Sequence, residues 1–345
     1  MNTQPPLVVG IVGLGFMAAT HIKAWRQIPD ARVAALCNPS GRHLDGDFTG
    51  VAGNVGDNAP VKLEPGSFKP FRDFDAMLAD PSIAIVDICA PTHAHPALAI
   101  AALRAGKHVL CEKPLARTAA LARDIADAAA QAKGFFMPAM CLRFWPGWSW
   151  LKQTIDAGTH GRVLGARFRR VAEPPGWGHA HFGDGAKSGG ALLDLHIHDV
   201  DFVQFCFGRP AAVFATGYTK HTGAIDHVVA QYQVASGTIV HAEGAWCMTP
   251  GFGFSMGYTM NFERATADFD LARGADALKL HEPGQPARVI KCDGPDGYVH
   301  ELRHFTDAIL SGNAPTVVTV QDAVSAVEVC EAEERSIVSG QLVST

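Results

Sequence analysis

The chain has 345 residues, 48% hydrophobic and 18% charged, with a net charge of −5. Such a length holds two hydrophobic cores, and the composition excludes a disordered chain. With 29 Lys and Arg against 34 Asp and Glu and no basic cluster, it also excludes a general nucleic-acid binder.

No run reaches the ~18 apolar residues of a membrane helix. The Leu7–Ala19 stretch is apolar enough to mimic a signal-peptide core but lacks a positive flank before it. The eight cysteines are scattered singly, with no C-x-x-C pair, and read as buried thiols in a reducing compartment. The expected location is the cytoplasm, with no membrane and no nucleic-acid partner.

Residues 1–140 alternate short β-type runs with helical segments, the pattern of a doubly wound parallel sheet. Strands are expected at Leu7–Val12, Val33–Cys37, Ile83–Cys89, His108–Cys111 and Phe135–Pro138. Helices are expected at Ala19–Ile28, Phe74–Leu78, Pro96–Ala105 and Ala116–Ala132. Between Ser40 and Ser67 runs a Gly- and Pro-rich excursion, read as a surface loop or a flap over the adenosine end of a cofactor, with a short strand at Val61–Leu63.

The character changes after Met140. A helix at Trp150–Ala157, a strand at Val163–Val171 and a helix at Ala191–Phe207 come first. Strands then follow without intervening helices at Val213–Thr219, Val228–Val234, Ile239–Trp246, Phe254–Phe262 and Ala267–Leu271, which indicates a mostly antiparallel sheet. Helices at Val299–Leu310 and Val320–Val338 close the chain. The expected fold is α/β, with a dinucleotide-binding domain over 1–140 and an α/β domain with a large open sheet over 141–345.

The most specific motif is the apolar strand running into Gly13-x-Gly15-x-x-Ala18. Gly13 permits the sharp turn, Gly15 lets the backbone approach phosphates, and Ala18 allows close helix packing. Phe16 and Met17 open the helix whose free N–H groups face the anion. At the end of the second strand stands Asn38, where a ribose-binding acid is usual roughly twenty residues beyond the turn. An amide does not repel a 2′-phosphate, and Ser40, Arg42 and His43 attract one, so the cofactor is NAD or NADP.

Pro91, Thr92 and His95 end the next strand, as cofactor contacts or as helix caps. Glu112 and Lys113 end the one after it. They are either a surface ion pair, worth about 0–1 kcal/mol, or a partly desolvated lysine beside the nicotinamide with a depressed pKa. Downstream, Gly189-Gly190 precedes Asp194 and His198, four apart on one expected helical face that Asp201 continues, with His196 turned away. A histidine with a carboxylate one turn earlier resembles a general base, and the alternative is a polar face at a domain boundary. His179, His181, Asp194, His196 and His198 do not form a complete metal shell at this spacing, so no metal is expected.

Taken in order, the Gly13/Gly15 turn, Ala90-Pro91-Thr92-x-x-His95, Glu112-Lys113-Pro114, Arg143-Phe144 with Gly161-x-Val163, Gly189-Gly190-x-x-x-Asp194-x-x-x-His198 and Tyr298-x-x-Glu301-Leu302-x-x-Phe305 resemble the Gfo/Idh/MocA oxidoreductases. The resemblance implies that Lys113, Asp194 and His198 form a catalytic set for NAD(P)-dependent oxidation of a hydroxyl, or reduction of a ketone, on a sugar, sugar acid or cyclitol. It also implies an open sheet face used for a homodimer or homotetramer. Substrate contacts are expected from Lys113, Arg143, Trp177, His181, Asp194 and His198. Two other readings keep the fold: a dinucleotide-sensing regulator without turnover, and an NAD-dependent glycosidase working by transient ring oxidation.

Overall fold

Apolar runs flanked by Ala-rich stretches fold as that alternation requires. The computed structural model describes residues 5–51, 53, 59–176 and 178–345. Strands β1 (Leu7–Val12), β2 (Ala31–Cys37), β3 (Lys69–Phe71), β4 (Ile85–Ile88), β5 (His108–Glu112) and β6 (Phe136–Ala139) form one parallel sheet in the order β3-β2-β1-β4-β5-β6. Helices α1 (Phe16–Trp25), α2 (Phe74–Leu78), α3 (His95–Arg104) and α4 (Ala119–Gln131) connect the strands. The chain reverses its direction of travel between β1 and β4, the switch point at which open α/β sheets bind ligands. Both edge strands contain proline, Pro70 in β3 and Pro138 in β6, where a sheet tolerates a missing N–H.

The second sheet has nine strands: β7 (Val163–Ala172), β8 (Ala212–Tyr218), β9 (His227–Gln233), β10 (Ile239–Ala245), β11 (Phe254–Phe262), β12 (Thr266–Asp270), β13 (Leu278–His281), β14 (Arg288–Ile290) and β15 (Val343–Ser344). Their order is β14-β13-β12-β11-β7-β10-β9-β8-β15, antiparallel throughout except for the β7–β10 pair. Residues alternate buried and accessible along β8, β9 and β10, so one face makes a core and the other is open. Before β7 lies α5 (Pro146–Ala157). Its Trp148 is fully buried, with Phe202, Tyr258, Phe269 and Phe168 around it at centroid distances of 4.9, 5.1, 6.0 and 6.0 Å. Between β7 and β8 come α6 (His179–Phe182), α7 (Gly185–Ser188), α8 (Gly190–Asp194) and α9 (Ile197–Phe207), and α10 (Gly297–Ser311) and α11 (Val320–Ser339) follow β14.

Three expectations differ from what is found. First, the chain divides into two compact units, but not by a single crossing near residue 140. One unit gathers Met1–Ala116, Ala120–Cys141 and Pro295–Val324, and the other gathers Arg117–Ala119, Leu142–Gly294 and Ser325–Thr345. The return of α10 to the first unit follows from its apolar stripe of Tyr298, Val299, Leu302 and Phe305, all buried, and Arg303 donates to the Gln27 carbonyl at 3.1 Å just beyond α1. Second, the expected strand at Val61–Leu63 is a single bridge between Asp47 and Lys62, whereas the three residues of β3 do join the sheet. Third, the expected helix at Ala191–Phe207 is two helices, α8 and α9.

Candidate active site

The glycine turn is built as its spacing requires. Gly13 has φ +86°, and a Cβ there would lie 2.4 Å from the Ala90 backbone, so no other residue fits. A Cβ on Gly15 would meet nothing within 4 Å, and α1 begins at Phe16 with no side-chain cap. The N-terminus of α1 therefore lies open at Gly15, an arrangement suited to a pyrophosphate. Met17 lies half-buried on the same first turn. Gly53, from the Gly-rich excursion, packs against the Phe16 ring, where a Cβ would come within 2.2 Å. Pro91, exposed, and Thr92, buried, start a short turn at the carboxyl end of β4.

At the end of β2 the Asn38 amide is engaged inside its own loop. Its Oδ1 accepts from Ser40 N at 3.2 Å and Ser40 Oγ at 2.9 Å, and its Nδ2 donates to the Arg42 carbonyl at 2.9 Å. Asn38 thus shapes the turn in which it stands. Sequence reasoning missed Arg72. It follows Phe71, whose carbonyl accepts from Asn38 N at 3.0 Å, and its guanidinium lies where a Cβ on Gly41 would stand, at 2.4 Å. Arg42 and Arg72 are both exposed, and neither has a carboxylate partner among the described residues. The neighbouring Asp73 caps α2, accepting from Asp75 N at 3.1 Å.

Glu112 and Lys113 at the end of β5 are not a surface ion pair. Glu112 is 5% exposed, and its Oε2 accepts from the Lys113 backbone N at 3.0 Å. Its Oε1 lies 3.0 Å from Nε2 of His21, whose Nδ1 lies 3.0 Å from both oxygens of Asp87. Trp25 Nε1 donates to Asp87 Oδ2 at 2.8 Å. Burial opposes charge on the His21 ring, yet the Asp87 carboxylate outweighs it and holds the pKa well above the usual histidine value. On the other side of Lys113, the carbonyl of Pro114 sits 2.9 Å from His95 Nδ1, and His95 Nε2 is 2.7 Å from the Ala90 carbonyl. His95 is 1% exposed, and burial lowers its pKa. His95 and Glu112, expected at the cofactor, therefore face inward and hold the half-buried Lys113 in place. His21, Asp87 and Cys89 bring possible ligand atoms within 4.8 Å of one another, but those atoms are already bonded to each other and to Trp25, and burial pushes the Cys89 thiol far above its usual range.

In the second unit, Asp194 ends α8 and His198 is the second residue of α9, both half-buried. Between them the helix widens: His196 N donates to the Ala191 carbonyl, five residues back, at 2.8 Å. The single face predicted for Asp194, His198 and Asp201 is interrupted by that turn. Asp201 is instead 1% exposed and held by Arg143, with Nε to Oδ2 at 2.8 Å and Nη2 to Oδ1 at 2.6 Å. Arg143, expected at the substrate, is 4% exposed and forms a buried tie, its guanidinium also covering the Phe205 ring. His181 is half-buried on α6, edge-on to Phe182 at 5.0 Å, and Trp177 lies outside the described residues.

The paired glycines have φ +85° and +69°, and a Cβ on Gly190 would strike the Ile225 carbonyl at 2.4 Å. That close approach is fixed by Asp226, which sequence reasoning also missed. Its carboxylate accepts from the N–H groups of Lys220, His221 and Thr222 at 2.7, 2.6 and 3.1 Å, from Thr222 Oγ1 at 2.6 Å and from Trp246 Nε1 at 3.1 Å. Burial works against this charge, but the hydrogen bonds prevail and keep its pKa below the usual carboxylate value. The loop so ordered offers the Ile225 carbonyl to Leu192 N at 3.2 Å, backing α8.

Residues 7–140 match the model of an oxidoreductase family with an NAD-binding Rossmann fold, and residues 148–267 match the GFO/IDH/MocA C-terminal domain. Myo-inositol 2-dehydrogenase of Thermotoga maritima is 25% identical over 322 residues, covering 90% of this chain and 90% of that protein. Levoglucosan dehydrogenase of Pseudarthrobacter phenanthrenivorans is 31% identical over 216 residues, 61% of this chain and 53% of that relative. Among solved structures, a levoglucosan dehydrogenase in complex with NADH and levoglucosan has the same fold. Its TM-score is 0.83 at 22% identity, over 98% of this chain and 99% of that one.

Proposed function

The chain belongs to the GFO/IDH/MocA oxidoreductase family, and from that premise we propose that it moves hydride between a nicotinamide dinucleotide and a hydroxyl or ketone of a sugar, sugar acid or cyclitol. The observation that carries this reading is the seat of Lys113. Its backbone is pinned on one side by the Glu112 carboxylate, and the next carbonyl is pinned by His95. A lysine held so firmly at the carboxyl end of a parallel strand is suited to act on a substrate oxygen.

Bound nicotinamide supplies the hydride acceptor. Lys113 orients the hydroxyl and stabilises the oxyanion as it develops. His198 takes the hydroxyl proton, with Asp194 setting the charge and orientation of its ring. His181, Trp177 and Arg143 are the further candidates for contact with the sugar. At the end of β2 the exposed Arg42 and Arg72, with no carboxylate partner among the described residues, support acceptance of NADP(H) as well as NAD(H). Arg72→Ala then weakens NADPH binding and leaves NADH binding unchanged, whereas equal weakening of both contradicts that role.

The open face of the nine-stranded sheet carries Phe214, Tyr218, Val229 and Ile239, which are 41, 50, 41 and 63% exposed, beside Arg167 and Glu243. Such a patch supports a homodimer or homotetramer. Among the described residues no helix is long and apolar enough to cross a membrane, and the eight cysteines stand as thiols, which supports a cytoplasmic location. The deciding experiment is a screen of aldoses, aldonic acids and cyclitols for substrate-dependent reduction of NAD and NADP. Reduction with at least one substrate is expected. Release of sugar from a glycoside without net cofactor reduction supports the glycosidase reading instead, and nucleotide binding with no turnover on any of them supports the regulator.

A further inference from the structure

Beneath the Glu112–Lys113 turn lies a buried chain of charged groups that the reaction as described does not use. Two carboxylates, Asp87 at 0% and Glu112 at 5% exposure, flank one fully buried imidazole. The Asp87 side is saturated: both its oxygens meet His21 Nδ1, and Oδ2 also accepts from Trp25. The Glu112 side is divided, with Oε1 on the imidazole and Oε2 on the Lys113 amide. Rotation of that carboxylate would break both bonds together.

We propose that His21 is a positioning residue for Lys113, acting through Glu112: the ring fixes the carboxylate, and the carboxylate fixes the backbone from which the lysine side chain departs. The proposal rests on the reading of Lys113 as the residue that handles the substrate oxygen. Two buried carboxylates demand a compensating cation. The imidazole is the group placed to supply it, because each of its nitrogens faces a carboxylate and so both act as donors. Among the described residues, other titratable groups beside the ring include Cys89 Sγ at 3.6 Å just beyond β4 and Tyr298 of α10, with ring centroids 6.1 Å apart. Burial pushes both of these upward, so neither competes for the charge near neutral pH.

The test compares His21→Gln, Glu112→Gln, the double variant and Lys113→Ala in the full-length protein. It measures NADH and NADPH binding by fluorescence, and kcat and KM across pH on the best substrate of the screen. In His21→Gln, kcat falls roughly 10- to 100-fold, the scale of a displaced reacting group, and its pH profile shifts while nucleotide affinity stays within about twofold. The double variant is no worse than Glu112→Gln alone, because both changes act along one path. A folded His21→Gln protein with unchanged kcat and pH profile, or additive effects in the double variant, overturns the proposal. Should His21→Gln not fold, nitrogen NMR of the wild-type ring decides: both nitrogens protonated at about pH 8 is the expected result, and a neutral ring there overturns it. Full turnover in Lys113→Ala removes the lysine reading itself, which the NMR result does not depend on.

Discussion

In each unit a fully buried histidine stands beside a carboxylate, and the two rings are satisfied to different degrees. His21 and His196 are both 0% exposed. His21 has a carboxylate oxygen at 3.0 Å from each ring nitrogen. His196 has Nε2 at 3.2 Å from Tyr232 Oη and 3.4 Å from Glu333 Oε1, while its Nδ1 and Glu333 Oε2 have no hydrogen-bond partner among the described residues. The second ring is admitted by Gly244 of β10, where a Cβ would fall 2.6 Å from His196 Cβ. The difference separates two jobs. His21 is a saturated tie that transmits position to Lys113, whereas His196 fills space inside the widened turn between Asp194 and His198.

The comparison is sharpened most by separating His196 from His198. His198→Ala is expected to lower kcat roughly 10²- to 10⁴-fold, the range for a general base, while His196→Gln retains most turnover. Equal losses in the two variants break the distinction between the reacting ring and the packed one. Next in size, His21→Phe leaves two buried carboxylates without their cation and should cost about 3–5 kcal/mol of unfolding free energy. His196→Phe, which leaves Glu333 still bonded to Tyr232, should cost only about 1–3 kcal/mol. Denaturant unfolding of both variants ranks them, and a reversed order contradicts the account.

Gly190→Ala is expected to cost about 1–3 kcal/mol for a residue forced to positive φ, together with the clash against the Ile225 carbonyl. The smallest effect is on pH dependence. Burial opposes charge on both rings, but Asp87 and Glu333 respectively raise their pKa values above the ordinary one. A raised histidine contributes its full stabilisation below the unfolded pKa of about 6.5 and loses it as pH rises through the folded value. Melting temperature should therefore decline from about pH 6.5 upward, and the slope should flatten more in His21→Phe than in His196→Phe.

The sheets and the glycine turn are legible because long apolar runs and Gly13-x-Gly15 leave few alternatives. The three residues of β3 and the two of β15 are not, being too short to carry a period. Nothing in Asp194-Leu195-His196-Ile197 announces a widened turn, since no Gly or Pro interrupts it. The His21 tie joins residues 66 and 91 positions apart, beyond any local pattern. One signal does exist: Asp87 sits inside the apolar run Ile85-Val86-Asp87-Ile88, and a charge in a buried strand requires a partner. Arg143 is hard to place for the converse reason, because the carboxylate that holds it belongs to Asp201, 58 positions away.

Whether Lys113 acts on the substrate oxygen is read from the kcat and nucleotide affinity of Lys113→Ala. The expected result is a loss of turnover of roughly 10²-fold or more with NADH and NADPH bound as in the wild type. Wild-type turnover in that variant would contradict it.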